Sequence, residues 1–320
     1  MGARQKKLSI KSIIAVKYLL IKWNKSLLFP FLSTFLYFAN SMKKLIVFLL
    51  AASSYLSNTA DAQEQYVQEG EFGITAGVAH YFGDLNTRAA FNRPKPAFGI
   101  FFRKQFTNYT GLRVAAHFAQ LGYSDIYSKN EFQQRRNLSF NTNITEFALQ
   151  GDFNFFKFIP GDPDHSFTPY ITFGVGIFSY DPYAYYNGTK NYLRPLNTEG
   201  ETFYKNRKAY GAMAVCFPIG AGIKYNISEN FNFSVEVSHR FTTTDYIDDV
   251  STTYIGIDKF PSPNGQPSIA AILQDRSFET GEAIGVEGRQ RGWSKQKDQY
   301  IFVEVGISFN LISYHCPTAR

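Results

Sequence analysis

From residue 63 onward the chain alternates apolar and polar residues with a period of two, the pattern of a strand whose faces meet different surroundings. In Asn230–Phe241, Phe231, Phe233, Val235, Val237 and Phe241 share one face. Asn230, Asn232, Ser234, Glu236, Ser238 and Arg240 share the other. The last such segment sets Ile301, Val303, Val305, Ile307, Phe309 and Leu311 against Glu304, Gly306, Ser308 and Asn310. Eight strands are predicted on this basis, at about 71–82, 96–105, 110–122, 138–155, 167–179, 210–225, 230–241 and 299–311. No stretch after residue 62 keeps a helical apolar period, and none is apolar for the length of a membrane helix.

The connections differ by side. Those after the first, third, fifth and seventh strands are long, at 83–95, 123–137, 180–209 and 242–298. The others, 106–109, 156–166 and 226–229, are shorter. Long loops on one side and tight turns on the other belong to an outer-membrane barrel, whereas a soluble sandwich needs no such asymmetry. A bilayer offers backbone groups no water, so a spanning sheet must close on itself. The expected fold is all-β: an eight-stranded antiparallel transmembrane β-barrel with long extracellular loops and short periplasmic turns.

Eight strands enclose a lumen only wide enough for side chains. The alternation turns Arg103, Arg113, Glu146, Lys224, Glu236, Arg240 and Glu304 inward. Their signs are mixed, which predicts internal ion pairs in place of a charge-lined conducting pore. On the last strand, Glu304-x-Gly306-x-x-Phe309-x-Leu311 has a spacing that resembles the assembly signal of bacterial outer-membrane proteins. Outer-membrane lipids and the barrel assembly machinery are therefore expected partners. A short periplasmic tail, 312–320, follows.

Charge changes the picture once it is located. The 320 residues carry a net +7, which taken whole points to an anionic partner. Residues 1–41 hold seven basic residues and no acid. From Met42, Lys43-Lys44, the apolar run Leu45–Ala52 and the small-residue end Ala60-Asp-Ala62 read as a signal peptide cleaved after Ala62. Removing the nine basic and one acidic residues of 1–62 leaves 24 basic against 25 acidic, a net of −1. No nucleic-acid partner is expected. The first 41 residues are expected to be an upstream extension from a start codon placed too early, the alternative being an uncleaved inner-membrane anchor. The 32 Phe and 21 Tyr suit the interfacial girdles of a barrel.

Candidate chemistry is sparse. His80, His117, His165, His239 and His315 fall in separate segments, with no Ser-His-Asp arrangement and no metal-ligand spacing. Asp245, Asp248 and Asp249 form a compact carboxylate group that lacks the ligand set of a calcium loop, and they read as solvated loop acids. Neither an enzyme nor a cofactor is expected. The Asn-x-Ser/Thr triplets, among them the one at Asn187, read as composition and not as glycan acceptors. Of the two cysteines, Cys216 has inward parity and reads as a small buried side chain. Cys316 lies beyond the last strand, too far along a tilted barrel to pair with it. In an oxidising compartment such a thiol either joins another protein or stays free.

A set of short stretches runs in order over most of 71–317: Tyr81-Phe-Gly-Asp-Leu-Asn86, Arg136-Asn-Leu-Ser-Phe140, Ile144-Thr-Glu-Phe147, Pro169-Tyr-Ile-Thr-Phe-Gly-Val-Gly176, Thr198-Glu-Gly200, Arg240, Thr244-Asp-Tyr-Ile-Asp-Asp-Val-Ser251 and Cys316-Pro317. Together they resemble the PorG-like outer-membrane proteins of the Bacteroidetes type IX secretion system. The motif residues include Gly83, Asp84, Leu85, Asn86, Asp245, Asp248, Asp249 and Ser251. The resemblance implies a barrel that anchors a periplasmic ring containing a PorK/GldK-type lipoprotein, with Cys316 matching the thiol suited to a disulfide with it. The rival expectation is an adhesion barrel acting through its long outer loops.

Translation from Met42 should give the same amount of exported, membrane-inserted protein as translation from Met1, measured by fractionation. Loss of export from the Met42 start would establish residues 1–41 as a working anchor.

Overall fold

The computed structural model of the chain describes residues 67–205 and 207–313. The expected signal peptide, the upstream extension and Cys316 lie outside them. The described residues form ten strands: β1 Val67–Phe82, β2 Lys95–Gln105, β3 Thr110–Ser124, β4 Ser139–Asn154, β5 Phe167–Ser179, β6 Tyr183–Tyr186, β7 Thr189–Tyr192, β8 Met213–Ser228, β9 Phe231–Thr242 and β10 Gln299–Ser313. All except β6 and β7 run antiparallel round a closed barrel. β1 pairs with both β2 and β10, and β3 with β4, so no edge remains.

The eight predicted strands are the eight barrel strands, with ends that move by a few residues. β1 and β10 extend each other, pairing Val67 with Ser313, and β8 slides later to Ser228 over a bulge between Asn226 and Ser228. Alternation missed the β6–β7 hairpin in the third long loop. Its turn is Asn187-Gly188, with φ of 49° and 75°, the left-handed pair that matches strand twist in a two-residue hairpin.

The faces are inverted relative to a soluble protein. Phe98, Ile100, Phe173, Val305, Ile307, Phe309 and Leu311 are exposed on the outside of the barrel. Arg103, Arg113, Glu146, Lys224, Glu236, Arg240 and Glu304 are all buried within it. Hydrocarbon around the wall accounts for the outer face, and the lumen must then pair its own charges.

Two networks do so. Towards the short turns, Arg103 contacts Glu71 and Asp152, and Arg113 grips Glu236 with two hydrogen bonds of 2.7 and 3.0 Å. The Tyr170 hydroxyl donates to the same Glu236 at 2.6 Å. Further out, Glu146 accepts from Arg240 at 3.2 Å and from the Tyr300 hydroxyl at 2.6 Å. His117 stands between Glu146 and Glu304, at 3.3 and 3.4 Å. The Arg240 guanidinium also lies 4.1 Å from the centre of the Phe302 ring. Cys216 is buried beside Glu146, its sulfur 3.7 Å from Oε2. Lys224 has no hydrogen-bonded partner for its ammonium and faces the Tyr170 and Phe158 rings at 4.9 and 5.6 Å. Phe158 belongs to the 155–166 turn and is itself buried, which covers this end of the lumen.

Removing one member of a buried pair strands the other charge, at a cost of about 3–5 kcal/mol. Glu146→Ala leaves Arg240 without its carboxylate and should lower the urea midpoint of the folded barrel in lipid vesicles accordingly. Glu146→Gln, which keeps acceptors for Tyr300 and Arg240, should lose less. Equal midpoints for Glu146→Ala and the wild type would mean the pair does not stabilise the barrel.

Candidate functional site

The four long connections fold together over the outer mouth. Helix α1, Glu131–Arg136, starts at Asn130, whose side chain accepts from Phe132 N, and stops at the left-handed Asn137. Helix α2, Ile269–Gln274, starts at Ser268, which accepts from Ala271 N. Tyr81, Leu85, Tyr123, Leu138, Phe140, Phe178, Ile247, Val250 and Leu273 form a single apolar core shared by the strand ends and these loops.

Within this cap, segments far apart in sequence meet through buried polar groups. The Tyr81 hydroxyl lies within hydrogen-bonding distance of both Asp248 Oδ2, at 2.5 Å, and Asp298 Oδ1, at 2.9 Å. Arg136 pairs with Asp125 at 2.7 Å and donates to the Asp84 carbonyl at 3.0 Å. Gln133 donates to the same carbonyl at 2.8 Å, and Trp293 N donates to Asp84 Oδ2 at 2.9 Å. Glu199 accepts from Ser251 N and from Arg291, each at 3.0 Å. Asp249 accepts from the hydroxyls of Thr198 and of Tyr210, the latter at 2.6 Å. Ser251 closes the set by donating to Asp245 Oδ2 at 2.6 Å.

The structure therefore gathers the motif residues in two places. Asp84, Arg136, Glu199, Asp245, Asp248, Asp249 and Ser251 meet in the cap, while Glu146 and Arg240 meet in the lumen. Asn86 folds its own loop, donating to the Tyr81 and Ala90 carbonyls at 2.9 and 3.0 Å. Leu85 is buried in the cap core. Gly83 must lack a side chain, because a Cβ there would strike the Tyr81 hydroxyl and the Asp298 carboxylate. On β10, Gly306 pairs with Thr75 and Ser234, and Phe309 and Leu311 face outward.

One expectation is overturned. Asp245, Asp248 and Asp249 are not solvated loop acids; each is at most 2% exposed. The loop does not reach into water but lies across the barrel mouth, where hydroxyls, backbone amides and Arg291 take up most of their oxygens. Among the described residues, no three His, Cys, Asp or Glu side chains are placed to hold a metal ion. Sequence reasoning also missed His117. Its parity with Arg113 turns it inward, but spacing along the chain does not reveal that Glu146 and Glu304 flank it.

Residues 43–254 match the family model described as a domain of unknown function, DUF6089. No curated protein sequence matches the chain. Among solved structures, the N-terminal β-barrel domain of Pseudomonas aeruginosa OprF is similar at 13% identity and a TM-score of 0.32, over 77% of this chain and all of that one. Neisserial surface protein A is similar at 9% identity and a TM-score of 0.37, over 76% and 97%. Ail, the attachment invasion locus protein of Yersinia pestis, is similar at 10% identity and a TM-score of 0.33, over 76% and 99%.

The cap is also where titration matters. Burial pushes the Asp84 and Asp249 carboxyls up to about 6, Asp245 to about 7 and Glu201 to about 8. Burial and mutual repulsion raise Asp248 and Asp298 as well. An opened cap returns these acids to ordinary values near 4, so opening between pH 4 and 8 releases protons. Cap stability should accordingly be greatest in mild acid and decline as pH rises through about 6 to 8. Hydrogen-exchange protection factors for amides 245–252 should be higher at pH 5 than at pH 8, and Asp245→Asn should flatten that slope. Protection that rises with pH would contradict the assignment.

Proposed function

We propose that this chain, which belongs to the DUF6089 family, is an outer-membrane barrel that anchors the periplasmic lipoprotein ring of a type IX secretion apparatus. The observation that carries this reading is that the barrel is filled. Two ionic networks occupy the lumen and folded loops close its outer mouth, which leaves the surfaces to do the work. The barrel then acts by location, holding a fixed periplasmic face beneath the bilayer.

Strand β10 ends at Ser313, at the end of the barrel that carries the short turns, and Cys316 follows three residues later in sequence. This supports Cys316 as a contact to a PorK/GldK-type lipoprotein, through a disulfide that forms in the oxidising periplasm. The secretion role itself comes from the resemblance of the ordered motifs. A second reading, a surface-binding barrel, draws on the cap, because the outer loops form a built layer with cavities.

Affinity isolation from native cells without reductant should recover the barrel with a lipoprotein in a heavier, reductant-sensitive species on gels. Cys316→Ser should abolish that species while leaving insertion unchanged. Deleting 314–320, which spares β10, should block secretion on the anchor reading and leave it intact on the surface-binding one. Absence of any lipoprotein from both preparations would rule out the ring anchor.

A further inference from the structure

An open cavity of about 580 Å³ lies in the cap between the 83–94 loop, α1 and a two-stranded ribbon formed by 252–254 and 289–291. Its floor is Asp84, which is 8% exposed. Asp84 Oδ2 accepts from Trp293 N, and no hydrogen bond to Oδ1 is found among the described residues. Gly292 allows this approach, since a Cβ there would strike the Asp84 carboxylate and the Ser251 backbone. The ribbon is thereby pinned to the floor, and Trp293 stands at the rim with 53% of its surface exposed.

The chemistry of the lining selects among ligands. Arg136 and Arg291 border the cavity, but their guanidinium groups are engaged by Asp125 and Glu199. They offer no free cation, which disfavours a phosphate or sulfate. Gln290, Ser294 and Gln296 add neutral donors and acceptors whose side chains make no hydrogen bond among the described residues. An exposed indole faces an apolar ring surface well, and amides, hydroxyls and a carboxylate match a rim of hydroxyl groups. The volume lies within the range of small-molecule sites, about 300–1,000 Å³.

We propose that this cavity binds the end of an uncharged glycan, with a sugar ring stacked on Trp293 and its hydroxyls held by Asp84, Gln290 and Gln296. The site faces outward, on the side of the long loops. The glycan is either free in the medium or carried on a lipid of the outer leaflet.

The test uses the full chain, purified in a detergent without a sugar headgroup. Maltotriose, mannotriose and triacetylchitotriose serve as free probes in titration calorimetry, and lipopolysaccharide from the producing cells serves as the membrane-anchored one. Saturable binding to at least one probe is expected, weakened at least tenfold by Trp293→Ala and less by Trp293→Phe. Gln290→Ala, on an exposed side chain, should weaken it independently, and heat-modifiable migration on gels checks that each variant is folded. Binding to a trisaccharide identifies a free glycan, and binding to lipopolysaccharide alone identifies an anchored one. No saturable binding to any probe, or equal binding by Trp293→Ala, overturns the proposal.

Discussion

A backbone in hydrocarbon has only itself for hydrogen bonding, and here that constraint is met by closing β1 onto β10. Closure fixes the side-chain alternation, because a strand that slipped by one residue would turn its charges to the lipid. It also fixes the calibre. Eight strands leave room for side chains and little else, so every charge turned inward must find its opposite within the lumen. The Arg113–Glu236 and Arg240–Glu146 pairs are the consequence. The outer cap continues the same logic above the membrane, with Arg136 and Arg291 each matched to a buried acid.

This explains how so many ionisable groups can be buried in one barrel. Most charges in the lumen answer a neighbour, Lys224 facing only aromatic rings, and His117 shares two carboxylates. The cap is less fully neutralised. Its carboxylates outnumber the guanidinium groups beside them, and burial holds several of them at raised pKa values. Raising the pH charges these acids and adds repulsion within the layer. Its surface, not its interior, is where an external molecule could meet the protein.

The barrel was legible in the sequence because lipid and lumen impose period two on every spanning strand. Phe231, Phe233 and Val237 against Asn232, Glu236 and Arg240 announce both faces without any knowledge of neighbours. The strand ends were less legible, since Val67 and Ser313 are held in the sheet by each other and not by local pattern. The β6–β7 hairpin did carry a signal, the Asn187-Gly188 pair, but its four-residue strands are too short to show as alternating runs. The cap could not be read at all from spacing. Tyr81, Asp248 and Asp298 are distant in the chain and meet only because loops from different strands cross the same mouth. Acidic residues in a loop look solvated until the loop is seen to fold inward.

The central claim is that the lumen is closed by its own ion pairs and that the barrel serves through its surfaces. Single-channel recording of the purified protein in planar bilayers tests it most directly. The account predicts no stable conductance step above the bilayer baseline at neutral pH in moderate salt. A large, long-lived conductance from folded barrels would contradict it, because ions would then be passing where Arg113, Glu236, Arg240 and Glu146 are joined.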